Sequence, residues 1–137
     1  MEVKELLGLD IGQKHIGVAR ASSVAALAEP LASVANSDDL RQLSQIIEEN
    51  KPDIIVVGLP RNLEGNDTAQ TTWVRKWVVK AKEIFSQDFY LQDEALTSKV
   101  ARLQKLSTKK SVDEHAMAAA IILQDFLDTP EAERQVA

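Results

Sequence analysis

Three acidic positions in this chain stand where an α/β protein gathers its chemistry. Asp10 ends an otherwise apolar run, Leu6 to Ile11, and an acid inside such a run calls for a reason. Asp93 and Glu94 close a second apolar stretch, and Asp113 sits at the start of a long apolar helix pattern. In an open α/β sheet the site lies outside the carboxyl ends of the parallel strands. Carboxylates drawn together there repel one another and call for a cation. Mg²⁺ accepts oxygen ligands and supports attack of water on phosphorus, so the expected chemistry is metal-assisted phosphodiester cleavage. Alternation along a strand lets only one of Asp93 and Glu94 point into a site, and the pattern does not choose between them. Asp113 also has a purely structural use, because an acid in the first turn of a helix is favoured by the helix dipole.

The elements that must position these acids read as follows. Val3 to Leu9 and His15 to Arg20 form a hairpin around Gly12, and Ala25 to Val34 is a third strand whose Pro30 implies an edge or a bulge. A helix follows from an N-cap at Ser37 to about Asn50, with Leu40, Leu43, Ile46 and Ile47 on one stripe. Asp53 to Gly58 is continuously apolar, as in a parallel strand covered on both faces. Pro60 to Asp67 is turn chemistry, and apolar residues recur helically from Thr68 to Phe85. Phe89 to Gln92 is a short strand, Ser98 to Leu106 a helix and Ser107 to Lys110 a basic loop. The helix Ser111 to Leu127 opens with a capping box of Ser111 and Glu114.

This order, β-β-β-α-β-α-β-α-α, predicts a mixed five-stranded sheet with helices on both faces. The right-handed crossover rule places the strands ending at Asp10, Gly58 and Glu94 side by side and parallel. Residues 1–128 read as one domain, with a frayed tail over 129–137.

Composition narrows the functions. The 137 residues carry a net charge of -5, which argues against non-specific coating of nucleic acid or anionic membrane. With no cysteine and two histidines, thiolate nucleophiles, disulfides and a three-histidine metal site are excluded. The start MEVKELLGLD has no basic region leading into a long apolar stretch. The longest apolar run, Ala116 to Leu123, is far short of the ~20 residues of a spanning helix. A soluble, cytoplasmic protein with no membrane partner is expected.

Five strings spaced in order along the chain carry a resemblance: LGLDIGQKHIGVA (Leu7 to Ala19), EPL (Glu29 to Leu31), IVVGLPRNLEG (Ile55 to Gly65), DEALTS (Asp93 to Ser98) and SVDEHAMAAAIILQDFL (Ser111 to Leu127). Together they resemble the YqgF/RuvX family, bacterial RNase H-like proteins described as pre-16S rRNA nucleases or Holliday junction resolvases. The resemblance implies an RNase H-like fold and an acidic site of Asp10, Glu94 and Asp113, taking Glu94 rather than Asp93. It also implies Mg²⁺ as cofactor, with Mn²⁺ as an alternative, and pre-rRNA or branched DNA as the partner of a monomer or homodimer. One position departs from the family pattern: where its motif usually reads DERLTS, this chain has Ala95, which cannot grip phosphate as arginine does.

Cations that could meet a polyanion fall in two places. Lys14 and Arg61 lie in loops at the expected rim. Nine of the sixteen basic residues fall in two acid-free segments, Arg75, Lys76, Lys80 and Lys82 in one and Lys99, Arg102, Lys105, Lys109 and Lys110 in the other. Lys14, Arg61, Arg102, Lys105, Lys109 and Lys110 are the candidate nucleic-acid contacts. Trp73 and Trp77 could stack on bases, although Trp77 falls on the apolar stripe, and Gly58 and Gly65 serve either a turn or close approach of backbone to phosphate. Two competing functions remain. Leu9 to Gly12 followed by Gly17 also resembles the first phosphate loop of actin-like ATPases, but those close two lobes around ATP and this chain has material for one. A non-catalytic nucleic-acid adaptor is the other.

Overall fold

The computed structural model describes residues 2–95 and 113–137. The expected helix Ser98 to Leu106, the basic loop Ser107 to Lys110 and the Ser111 cap lie outside the described residues. The same holds for Lys99, Arg102, Lys105, Lys109 and Lys110.

The strands are β1 (Glu5–Ile11), β2 (His15–Ser22), β3 (Glu29–Ala35), β4 (Ile54–Arg61), β5 (Asp88–Ala95) and β6 (Gln135–Val136). The helices among the described residues are α1 (Arg41–Asn50), α2 (Ala69–Ile84) and α3 (Glu114–Asp128). All six strands form one sheet in the order β3-β2-β1-β4-β5-β6. The hairpin β1/β2 pairs Asp10 opposite Gly17, and β3 continues the meander. Parallel pairing sets Leu9 beside Val57 and Pro60 beside Glu94, so β1, β4 and β5 end together at one rim, as the crossover rule requires. Pro30 lies on the edge strand, where the register shifts between Val18 and Ala19. Both reasons for a proline in a strand therefore hold at once.

The sheet has six strands rather than five. Tyr90 and Leu91 pair with β6, and a 3-10 turn, Glu131–Glu133, leads into it. Arg134 fixes this segment by donating to the Thr129 carbonyl while its guanidinium lies 4.5 Å from the Phe126 ring centroid. The tail over 129–137 is thus held by backbone pairing and a cation–π contact instead of fraying. A two-residue strand has no periodicity to read.

Burial follows the two faces. On one, Leu7, Leu9 and Ile11 of β1, Ile55, Val57 and Leu59 of β4, and Phe89 and Leu91 of β5 meet Leu43 and Ile47 of α1 and Val74, Trp77 and Ala81 of α2. On the other, Leu6, Ala19, Ala21 and Val56 meet Ala119, Ile122, Leu123 and Phe126 of α3. Strands covered on both faces explain the continuous apolar runs.

Helix α1 starts later than Ser37. Leu40, fully buried with φ 51°, turns the chain in, and Asp39 accepts the Arg41 N–H at 3.1 Å. The Ser37 hydroxyl, donating at 2.9 Å, and then that N–H hold the Asp39 carboxyl below its ordinary pKa. Helix α2 opens with a reciprocal box of Thr68 and Thr71, and the buried Thr71 hydroxyl donates to the Pro60 carbonyl, tying the helix start to the end of β4.

Candidate active site

Strand parity sorts the acids. Asp10 is in phase with Leu6 and Gly8, and Glu94 with Tyr90, so both belong to the face that α3 covers. Asp10 and Glu94 line one small cavity of about 20 Å³ with Ile11, Gly58, Pro60, Gln70 and Ile122. Glu94 is 9% exposed. Asp93, one residue earlier, is on the opposite face and exposed, and accepts from Arg61 Nε at 3.3 Å. Glu94 is therefore the acid of the pair that shares a cavity with Asp10.

Asp113 is brought to the same end of the sheet by the seat of α3. A Cβ on Gly17, the residue opposite Asp10, would fall 1.8 Å from the His115 carbonyl oxygen, so the first turn of α3 rests directly on the strand beside Asp10. The His15 and His115 rings stack there with centroids 5.2 Å apart. The helix begins at Glu114 with Asp113 itself as N-cap. Asp113 Oδ1 accepts from the N–H groups of His115 at 3.0 Å and Ala116 at 3.3 Å. Asp113 does not line the Asp10–Glu94 cavity. Among the described residues no three His, Asp or Glu side chains form a group able to hold a metal ion by themselves.

Asparagine caps a helix as well as aspartate, whereas alanine cannot. Asp113→Ala is therefore expected to lower stability by about 1 kcal/mol and Asp113→Asn to leave it nearly unchanged, as denaturant midpoints would show.

The candidate cations divide. Lys14 is exposed on the β1–β2 turn, available to a ligand at the rim. Arg61 is committed to Asp67 and Asp93, with its side chain 18% exposed, so it braces the loop after β4 more than it offers charge outward. Arg75 lies 3.8 Å from Asp67, and Lys82 donates to the Ala137 carbonyl. Ala95 pairs with Arg61 and has the parity of Asp93, not of Glu94, so an arginine there would start on the far face from the cavity. Gly58 makes room for Ile122, whose Cδ1 would lie 2.4 Å from an added Cβ, and that packing role replaces the phosphate-loop reading. Gln70 and Gln13 were not among the sequence candidates. The available signal for Gln70 was its place in the first turn of the helix that leaves a parallel strand, which returns to the rim.

A mixed sheet with three parallel strands ending at a carboxylate-lined cavity defines the RNase H-like class. Solved structures agree in fold. "T. thermophilus RuvC in complex with Holliday junction substrate" superposes with a TM-score of 0.60 at 16% identity, covering 98% of this chain and 99% of that one. A Fowlpox virus resolvase with Holliday junction DNA superposes with a TM-score of 0.58 at 10% identity, covering 90% and 97%. The family model described as "RuvX: Holliday junction resolvase" matches residues 4–129, and the chain belongs to that family. Relatives named "Putative pre-16S rRNA nuclease" include one from Shewanella oneidensis, 33% identical over 93% of this chain and 96% of its own length. Another, from Hydrogenovibrio crunogenus, is 38% identical over 90% and 92%. No helix among the described residues is long and apolar enough to cross a membrane.

Proposed function

We propose that this protein is a metal-dependent nuclease that hydrolyses phosphodiester bonds in structured nucleic acid, processing the 5′ end of pre-16S rRNA in the cytoplasm. The observation that carries the reading is the shared cavity of Asp10 and Glu94 at the carboxyl ends of β1 and β5. Its donors are hard oxygens, and about 20 Å³ is room for one water or one small ion. Mg²⁺ is commonly held by one or two carboxylates, with waters and substrate phosphate completing its shell, and the pair Asp10 and Glu94 supplies two. Asp10 and Glu94 would hold it, with Asp113 offering the oxygen its cap does not use. When bound, the ion supplies Lewis-acid stabilisation of charge developing on the phosphate. The chain's own part is to fix the carboxylates on two adjacent strand ends, shield one side with α3, and meet the strand's phosphates with Lys14 and with Arg102, Lys105, Lys109 and Lys110.

Cleavage of branched DNA is the second reading, favoured by the description of the family model. Incubating the protein with a precursor rRNA 5′ leader and with a four-way DNA junction, each with Mg²⁺, separates the two. Cutting of the RNA alone supports the first reading, cutting of the junction alone the second, and cutting of neither overturns the nuclease assignment.

The carboxylate pair also predicts a substrate-free effect. An ion held between Asp10 and Glu94 would bind only the folded state and so stabilise it. Mg²⁺ at a hundredfold excess over its dissociation constant should stabilise the wild type by about 2.7 kcal/mol, while Asp10→Asn gains little. Thermal melts in EDTA and in Mg²⁺ give the comparison. Equal responses from the two proteins would remove Asp10 from the ion's site.

A further inference from the structure

Beside the acidic cavity lies a second, larger recess of about 520 Å³, lined among the described residues by Gln13, Ala69, Gln70 and Trp73. Gln70 lines both spaces, so the recess adjoins the cavity that holds Asp10 and Glu94. Its described walls carry no charge: two primary amides and an indole. A flat, neutral, hydrogen-bonding group would find an aromatic face and two side chains that each offer both a donor and an acceptor.

Trp73 is half-buried, packed on the main core along one part of its surface and open to the recess along another. It lies three residues after Gln70, on the same side of α2. The opposite wall is the β1–β2 turn that carries Gln13, and the two walls are fastened together. Trp77 Nε1 donates to Asn36 Oδ1 at 3.2 Å, and Asn36 Nδ2 donates to the Gly12 carbonyl at 2.8 Å. A recess whose sides are bonded to each other is set before any ligand arrives, so ordering it costs little on binding.

We propose that this recess receives an unpaired nucleobase of the strand being cut, stacked on Trp73 and hydrogen-bonded along its edge by Gln13 and Gln70. This rests on the nuclease reading and adds to it a requirement: the nucleotide beside the scissile phosphate must leave its stack, so the preferred substrate is single-stranded, looped or branched at that point. Stacking on an indole tolerates every base, while the amides can favour some edges over others.

The test uses the full chain in EDTA with a single-stranded RNA carrying 2-aminopurine, and with the same RNA fully paired. Wild type should bind the single strand more tightly than the duplex and quench the probe. Trp73→Phe should keep both properties. Trp73→Leu keeps apolar volume against the core but has no aromatic face, and it should bind about tenfold more weakly and lose the quench. Circular dichroism of both variants establishes that they are folded, and if Trp73→Leu does not fold, Gln13→Ala with Gln70→Ala should give the same loss of preference for the single strand. Undiminished binding and quenching by folded Trp73→Leu, or by the double glutamine variant, would overturn the proposal. So would failure of wild type to bind the single strand. In either event Mg²⁺-dependent cleavage, assayed separately, decides whether the nuclease reading stands without the recess or falls with it.

Discussion

Asp10→Asn is expected to abolish Mg²⁺-dependent cleavage while leaving the fold intact, with a loss in rate of roughly a thousandfold or more, about 4 kcal/mol of transition-state stabilisation. The substitution is nearly isosteric, and Asp10 sits at the rim of the sheet, not among the fully buried residues of either core. What changes is a negative charge and an oxygen donor on the wall shared with Glu94. Glu94→Gln should behave alike, and the double variant should be little worse than either single one, because groups that serve one ion act as a unit. Near-normal cleavage by folded Asp10→Asn would move the chemistry away from this cavity.

The second large effect is structural. Gly17→Ala should lower stability by about 3 kcal/mol, or roughly 10 °C in melting temperature, and reduce cleavage in the fraction that remains folded. The added methyl meets a backbone carbonyl 1.8 Å away, and backbone cannot rotate aside as a side chain can. Gly65 provides the control. Its φ of 80° strains an alanine, but nothing lies within 4 Å of the added carbon, so Gly65→Ala should cost only about 1 kcal/mol. If the two variants melt alike, the seat of α3 on β2 is looser than described.

How far the sequence carried the site depended on what each residue's role requires. Asp10 stood out because β1 is apolar on both faces, so one acid in it breaks a pattern. The choice between Asp93 and Glu94 could not be made the same way. Both sit at a strand end, and only the side of the sheet on which α3 packs assigns Glu94 to the cavity; the resemblance, not the alternation, favoured it beforehand. The order of strands and the three parallel ends were legible because connection rules leave few alternatives. The boundary at Leu40 was not, since a buried leucine with positive φ has no mark in composition. Nor were Gly8, Gly17 and Gly58, whose value lies in a helix that passes over them from far along the chain.

Those three glycines share a further consequence. Added Cβ atoms would strike Leu123 from Gly8, His115 from Gly17 and Ile122 from Gly58, so α3 is located at three points on three different strands. Close packing at three points on three strands opposes sliding and rocking of the helix. Asp113, at the tip of α3, is then expected to be a stationary landmark and not a moving jaw, with accommodation of different strands elsewhere around the rim. Amide exchange in the first turn of α3 should accordingly be the same with and without bound nucleic acid, even if other parts of the rim respond.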